Sequence, residues 1–424
     1  MRKHLAIIIV LLASIAVHFA FFGYPKETVF DEVHFGKFVS GYFTHEYFFD
    51  IHPPLGKLII SGAAKVTGFE PGFSFGQIGE TFPDSAYLWL RLLPTIAGTL
   101  LPIVIFLLAL ELGMSKVGAT GTGLLVVFES ALLVQSRFML LDAFLLLFGF
   151  GAWWLYARYR NTEGFGYLIA AAVLGGLAVS VKWTGATFLG MIGLLELVNI
   201  IRTYSIRRLV ALALLVAIPA ILYFSIFALH FALLQKPGPG DAFMTPAFRE
   251  HRLSSLGQFI ELNTEMYRAN ARLTATHPYS SSWYTWPFML RPIYYWNSGI
   301  AKIYLLGNPV VWWASTFGIF YVLLSTLGTR NKILYLISGA YLVNLLPFIG
   351  IDRAMFLYHY FIALIIAIIA LAYLIDHLKS RTKVFAGLIA LAVISFIFFA
   401  PLTYGKPELP QEQFNHRVWL KSWL

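Results

Sequence analysis

A chain of 424 residues is long enough for two or three soluble domains, but a composition of 58% apolar, 17% aromatic and only 12% charged residues excludes them. It is the composition of a polytopic membrane protein whose spans are each about 20 residues long. The absence of cysteine excludes disulfide and thiolate chemistry, and the net charge of +10 does not indicate nucleic acid, because the basic residues fall in one set of short loops.

Eleven apolar segments are predicted as spans: 5–22, 92–110, 117–133, 138–155, 166–181, 183–201, 209–229, 309–327, 333–349, 355–375 and 384–401. An odd number puts the termini on opposite faces. Thirteen Lys and Arg residues lie in the loops of the N-terminal face: Arg2, Lys3, Lys116, Arg158, Arg160, Arg202, Arg207, Arg208, Arg330, Lys332, Lys379, Arg381 and Lys383. The short loops of the other face hold three, Arg137, Lys182 and Arg353. Positive charge stays inside, so the N terminus is expected in the cytoplasm and the C terminus outside. The reading is one all-α transmembrane domain, 1–424, with two long outer connections, 23–90 and 230–308.

The first connection carries the densest chemistry, FDEVHFGKFVSGYFTHEYFFDIHPPLGK from Phe30 to Lys57. Phe35, Phe38, Val39, Tyr42 and Phe43 recur at the spacing of an amphipathic helix, expected to lie in the membrane interface and to stop at Pro53 and Pro54. The second connection, rich in Pro, Gly, Trp and Tyr, is expected to run along the surface as partly helical segments.

Asp31 and Glu32 open the interfacial helix. Either they cap it, or a carboxylate held at the mouth of the bundle acts as general base toward a hydroxyl. Arg91, Arg137, Lys182 and Arg353 are outer-face cations that either snorkel or together bind an anion such as a lipid phosphate. Asp142, about a turn inside the fourth span, needs a partner, and Arg137 is five residues away. Glu129 also falls within a span, with no role evident. His52, His277 and His359 are outer-face histidines without the i, i+4 spacing of a helical metal site, so hydrogen bonding is the expected role and no metal ligand is assigned.

The blocks FDEVHFGKF, YFFDIHPPLGKL, IGETFP and LRLLP, then ESALLVQSRFMLLDA, GLAVSVKWTG, HPYSSSWYTWPFMLRPIYYW and FLYHY, resemble in order the protein O-mannosyltransferases. These are GT-C membrane enzymes of glycosyltransferase family 39. The resemblance implies a GT-C fold with about eleven spans. It implies Asp31, beside Glu32, as base for an acceptor Ser or Thr hydroxyl, and Arg91 as a contact to the lipid donor. Arg137, Lys182 and Arg353 join Arg91 as candidate phosphate ligands, with His52, His277, Tyr358, His359 and Asp142 as supporting residues. The family's eukaryotic members carry a MIR domain in the second outer loop; the 230–308 loop has no room for one, which resembles the short prokaryotic form. The expected partners are a polyprenyl (dolichyl-type) phosphate mannose, an exported polypeptide and the bilayer. No cofactor is required by the scheme, and a divalent metal, though compatible with Asp31 and Glu32, is not indicated. The competing readings are a GT-C transferase for another sugar or a lipid acceptor, and a flippase for lipid-linked sugars. Against the flippase, the midplane positions are almost all apolar.

Overall fold

Long apolar runs become helices because a helix pairs its own backbone groups, which hydrocarbon cannot do. The computed structural model describes residues 2–272, 276–351 and 353–424, without the side chains of Arg2 and Lys3, two members of the cationic face. Its helices are α1 (Arg2–Phe19), α2 (Glu32–Thr44), α3 (Leu55–Val66), α4 (Tyr87–Glu111), α5 (Lys116–Val127), α6 (Ser130–Ser136), α7 (Asp142–Thr162), α8 (Phe165–Val181), α9 (Ala186–Thr203) and α10 (Ile206–Leu233). There follow α11 (Pro246–Arg249), α12 (Ser255–Arg272), α13 (Pro309–Thr326), α14 (Lys332–Leu345), α15 (Phe361–Asp376), α16 (Arg381–Tyr404) and α17 (Gln411–Asn415). Among the described residues, seven helical segments are long and apolar enough to cross a membrane, or eight if the bent pair α5–α6 is one span; α1 and α8 are shorter and apolar.

Two compact units divide the chain: Met1–Phe30 with Thr95–Phe138 and Ala275–Leu424, and Asp31–Pro94 with Met139–Thr274. In the first, α15 is apolar on every side and almost wholly buried, packed on α13, α14 and α5. The α5–α6 pair bends by 60°, and Glu129 sits at the break. Its carboxylate caps α6 by accepting the Ala131 N–H at 3.1 Å, and it accepts the Asn308 N–H with both oxygens at 3.2 Å. Asn308 in turn caps α13 and donates its amide to the Phe128 and Ala392 carbonyls at 2.9 and 2.8 Å. The carboxylate that had no role in sequence thus satisfies the backbone donors that the broken helix exposes.

The second outer connection departs from the helical expectation in one place. Residues Ile293–Ser298 (β1) and Ala301–Leu305 (β2) pair antiparallel, with a bulge at Tyr294/Trp296 and Gly299 at φ +59° in the turn. Aromatic and β-branched residues on either side of Ser-Gly carry that signal in the sequence.

In the second unit, α7, α8, α9 and α10 pack together, with α2 against α3 and α12 along α10. The interfacial reading of α2 needs correction. Phe35, Val39 and Tyr42 are buried inside the protein, and Tyr42 joins Tyr47, Phe48, Phe227, Phe231 and Phe248 in one aromatic core. The Tyr42 hydroxyl meets His230 Nδ1 at 2.8 Å, which ties α2 to the end of α10. Gly36 lets this packing close: a Cβ there would lie 2.1 Å from the Phe75 ring. Nor does α2 run to the prolines. It ends at Thr44 because His45 turns into the left-handed region at φ +65°, and its N–H donates to the Gly41 carbonyl. Pro54 instead precedes the first turn of α3, where a missing N–H costs nothing.

Candidate active site

Asp31 and Glu32 are adjacent in sequence and opposite in situation. Glu32 is fully buried. Its carboxylate takes two parallel bonds from Arg91, Nε at 2.7 Å and Nη2 at 2.6 Å, and Oε1 also accepts the Met139 N–H at 3.0 Å. The Arg91 guanidinium lies against the Phe82 and Tyr87 rings, 5.4 and 5.0 Å from their centroids. A buried bidentate pair of this kind fixes geometry, because neither charge is stable there without the other. The sequence expectation that Arg91 directs its fork at a phosphate is therefore revised: the Nε–Nη2 edge holds Glu32.

Asp31 occupies the N-cap position of α2, yet its side chain makes no capping hydrogen bond, because the residue has helical dihedrals (φ −70°, ψ −1°). The capping alternative left open by the sequence is excluded by that geometry. The carboxyl is half-buried. Burial pushes its pKa up to about 7; Lys182 opposes the rise, and the Asp142 and Asp50 carboxylates add to it. Just before it, Phe30 adopts φ +47°, a strained conformation for an aromatic residue. Within the first unit Phe30 is held by stacking on Tyr295 (4.1 Å) and by its N–H donating to the Tyr295 carbonyl at 3.2 Å.

Asp142 is the first residue of α7, not a turn inside it, and its partner is Lys182 rather than Arg137. Lys182 Nζ donates to both oxygens at 2.8 Å. Arg137 belongs to the other unit. It donates to the Ala20 and Phe21 carbonyls at 2.6 and 2.8 Å and lies 4.6 Å from the Tyr404 ring, so it satisfies the carbonyls left over at the end of α1. Of the four proposed phosphate cations, Arg353 alone makes no hydrogen bond or ion pair among the described residues. It is half-buried, its pKa lowered by burial and favoured by nearby Tyr358.

His52 does not sit alone. Lys57, 1% exposed, pairs with Asp50 and donates to the His52 and Pro53 carbonyls at 2.8 and 3.3 Å, tying the DIHPP turn into one piece. Asp50, His52 and Lys57 line a small cavity with His230 at its wall. The sequence reading missed Asp50 and Lys57. Their signal was present, since a proline pair leaves carbonyls without helical partners and a lysine follows within reach. In the first unit, His277 meets Phe356 (5.0 Å), Tyr358 stacks on His359 (4.7 Å) and His359 stacks on Trp286 (5.9 Å). The His359 Nδ1 accepts the Phe356 N–H at 3.1 Å. His277, Tyr358 and His359 thus form one aromatic group, and Phe30 meets the Tyr358 ring edge-on at 6.4 Å. Among the described residues no three His, Asp or Glu side chains are grouped to hold a metal.

Two family models match the chain. Dolichyl-phosphate-mannose-protein mannosyltransferase matches residues 8–235, and the C-terminal four-transmembrane region of protein-O-mannosyltransferase matches 255–332 and 325–423. Protein O-mannosyltransferase 1 of Drosophila melanogaster is 36% identical over 53% of this chain and 27% of its own length. Dolichyl-phosphate-mannose--protein mannosyltransferase 4 of Saccharomyces cerevisiae is 33% identical over 57% of this chain and 34% of its own. The chain therefore spans about a quarter to a third of these curated relatives. A chain of the S. cerevisiae Pmt1-Pmt2 complex bound to the sugar donor superposes with a TM-score of 0.93 at 21% identity, covering 100% of this chain and 93% of that one. At that identity the likeness is one of fold, the GT-C membrane glycosyltransferase fold. With its first model matching more than half of the residues, the chain belongs to the dolichyl-phosphate-mannose-protein mannosyltransferase family.

Proposed function

We propose that this chain transfers mannose from a polyprenyl phosphate mannose to the hydroxyl of a Ser or Thr in an exported polypeptide, on the outer face of the membrane. Family membership supports the reaction. The observation that carries the residue assignment is the division of labour in the acidic pair: Glu32 is locked to Arg91, while Asp31 caps nothing and has its proton affinity raised to near neutrality. A base poised near the working pH is the efficient one.

In this mechanism the Asp31 carboxylate takes the hydroxyl proton as the acceptor oxygen bonds to the anomeric carbon. The bond from that carbon to the phosphate oxygen breaks in the same displacement, with inversion. The leaving phosphate gains negative charge, and Arg353, uncommitted among the described residues, is the cation assigned to meet it. Arg91 acts through Glu32 by fixing the start of α2, and Lys182 and Asp142 act on Asp31 through their fields. The aromatic group around Tyr358 and His359 is assigned to the sugar, and His52 to the turn that carries Asp50. A phosphate leaves without protonation, so the displacement needs no second carboxylic acid, and the scheme as written requires no metal or other cofactor. The thirteen-to-three loop charge supports a cytoplasmic N terminus and an outer active site.

The test is transfer in vitro from lipid-linked mannose to a Ser/Thr peptide. Asp31→Asn is expected to lower turnover at least 100-fold while donor binding is retained; wild-type turnover in that variant refutes the assignment.

A further inference from the structure

Beyond the catalytic residues, the second unit holds another polar pocket. Tyr47 is 4% exposed, and its hydroxyl has no hydrogen-bond partner among the described residues. It lines an open pocket of about 330 Å³, counting the solvent at its mouth, with Lys236, Asp241, Arg249, His251 and Gln258. The site is built from backbone upward. Tyr47 N–H donates to the Lys236 carbonyl at 2.9 Å, and Gly240 N–H donates to the Tyr47 carbonyl at 3.0 Å, so the two loops are clamped together. The side chains of Lys236, Arg249 and His251 make no hydrogen bond or ion pair among the described residues. Asp241, the carboxylate in the lining, is engaged by the Gly238 N–H at 2.9 Å, and Glu261, whose field also reaches Tyr47, accepts the Thr245 N–H and hydroxyl at 2.8 and 2.9 Å. Burial, then Asp241 and Glu261, raises the Tyr47 pKa, so the phenol stays protonated and offers a donor. Buried donors rarely go unmatched, and here cations surround one.

The pocket's position says what kind of anion comes there. Phe231 and Leu234, at the end of the long apolar α10, form part of its lining, which puts it at the level where a span meets headgroups. Beside it, α12 lies along α10: the Phe259 ring is 5.3 Å from Phe224 and Phe227, and Tyr223 Oη donates to Asn263 at 2.6 Å. On α12, Leu262 and Met266 are buried, yet Leu256 and Ile260, which flank Gln258, are 56% and 55% exposed. An amphipathic helix with an apolar edge in the open, next to unpaired cations, is a lipid-surface arrangement.

We propose that this pocket binds the phosphate of a membrane lipid, held by Tyr47 Oη, Lys236 and Arg249, with the Leu256–Ile260 edge of α12 against its acyl chains. Nothing in the transfer mechanism uses these residues.

The experiment is native mass spectrometry and thermal melting of the full chain in neutral detergent, titrated with phosphatidylglycerol, phosphatidylcholine, polyprenyl phosphate or inorganic phosphate. Wild type is expected to retain lipid and melt higher with phosphatidylglycerol or polyprenyl phosphate; which of the two binds tighter identifies the source. Inorganic phosphate alone is expected to bind at least tenfold more weakly than either lipid. Lys236→Ala with Arg249→Ala, both at exposed positions, is expected to weaken lipid binding at least fivefold. Tyr47→Phe separates the readings, because an orphaned hydroxyl in an empty pocket predicts equal or higher melting in every lipid, whereas a phosphate ligand predicts loss of the lipid-dependent rise. Equal lipid binding by wild type and variants, inorganic phosphate binding as tightly as lipid, or binding only to an acidic peptide overturns the proposal.

Discussion

The side chains of Asp31 and Glu32 show how one backbone step separates a carboxyl of raised proton affinity from one locked in an ion pair. Because burial raises the Asp31 pKa to about 7, transfer should require its deprotonated form, and kcat/KM should rise with pH through about 7 as one proton is lost. A profile flat from pH 5.5 to 8.5 would remove Asp31 from the role of base. The same shift has a stability consequence of definite sign. A carboxyl whose folded pKa lies above its unfolded value stabilises the fold below about pH 4, and that contribution is lost as pH rises through about 7. Asp31→Asn should therefore melt above wild type at pH 8, by about 1 to 2 kcal/mol after discounting for its partial exposure, and the advantage should vanish at low pH. Glu32→Gln or Arg91→Ala should do the reverse. Either leaves a buried charge without its partner, at a cost of about 3 to 5 kcal/mol, visible as a lower melting temperature at any pH from 6 to 9. Arg353→Ala is expected to leave melting unchanged and to raise the donor KM about tenfold; an unchanged donor KM would take the phosphate away from Arg353.

Two elements owe their form to one or two residues each. The break between α5 and α6 is held by Glu129 and Asn308, whose exchanged bonds satisfy donors and carbonyls of three helices. Asn308→Ala removes a helix cap and both amide donors at once. It should destabilise the first unit by about 2 to 3 kcal/mol, with proteolysis appearing first at the loosened bend, which is buried in the wild type. In the second unit, α2 approaches Phe75 over Gly36, so Gly36→Ala must displace an aromatic ring or the helix that carries Asp31. The periodicity of Phe35, Val39 and Tyr42 was legible as a helix face. Which surface that face covers was not, because an apolar stripe reads identically against lipid and against Tyr47, Phe227 and Phe231.

For the whole molecule, orientation is the property on which an outer active site rests. A chain without cysteine makes the measurement direct. Single cysteines placed at Ser281 should react with a membrane-impermeant maleimide on intact cells, and those at Thr329 only after permeabilisation. The opposite pattern would invert the topology and with it the access of exported polypeptides.

By itself the sequence determined the membrane class, the positions of the apolar segments and the acidic pair at the start of α2, because hydropathy, loop charge and helical period are local quantities written along the chain. Only tertiary structure decided the partners. Lys182 rather than Arg137 reaches Asp142, Arg91 goes to Glu32, and Lys57 gathers the DIHPP turn. Pairing depends on which groups are brought within about 3 Å by packing, and residues 40 or 59 positions apart meet only when the helices between them have closed.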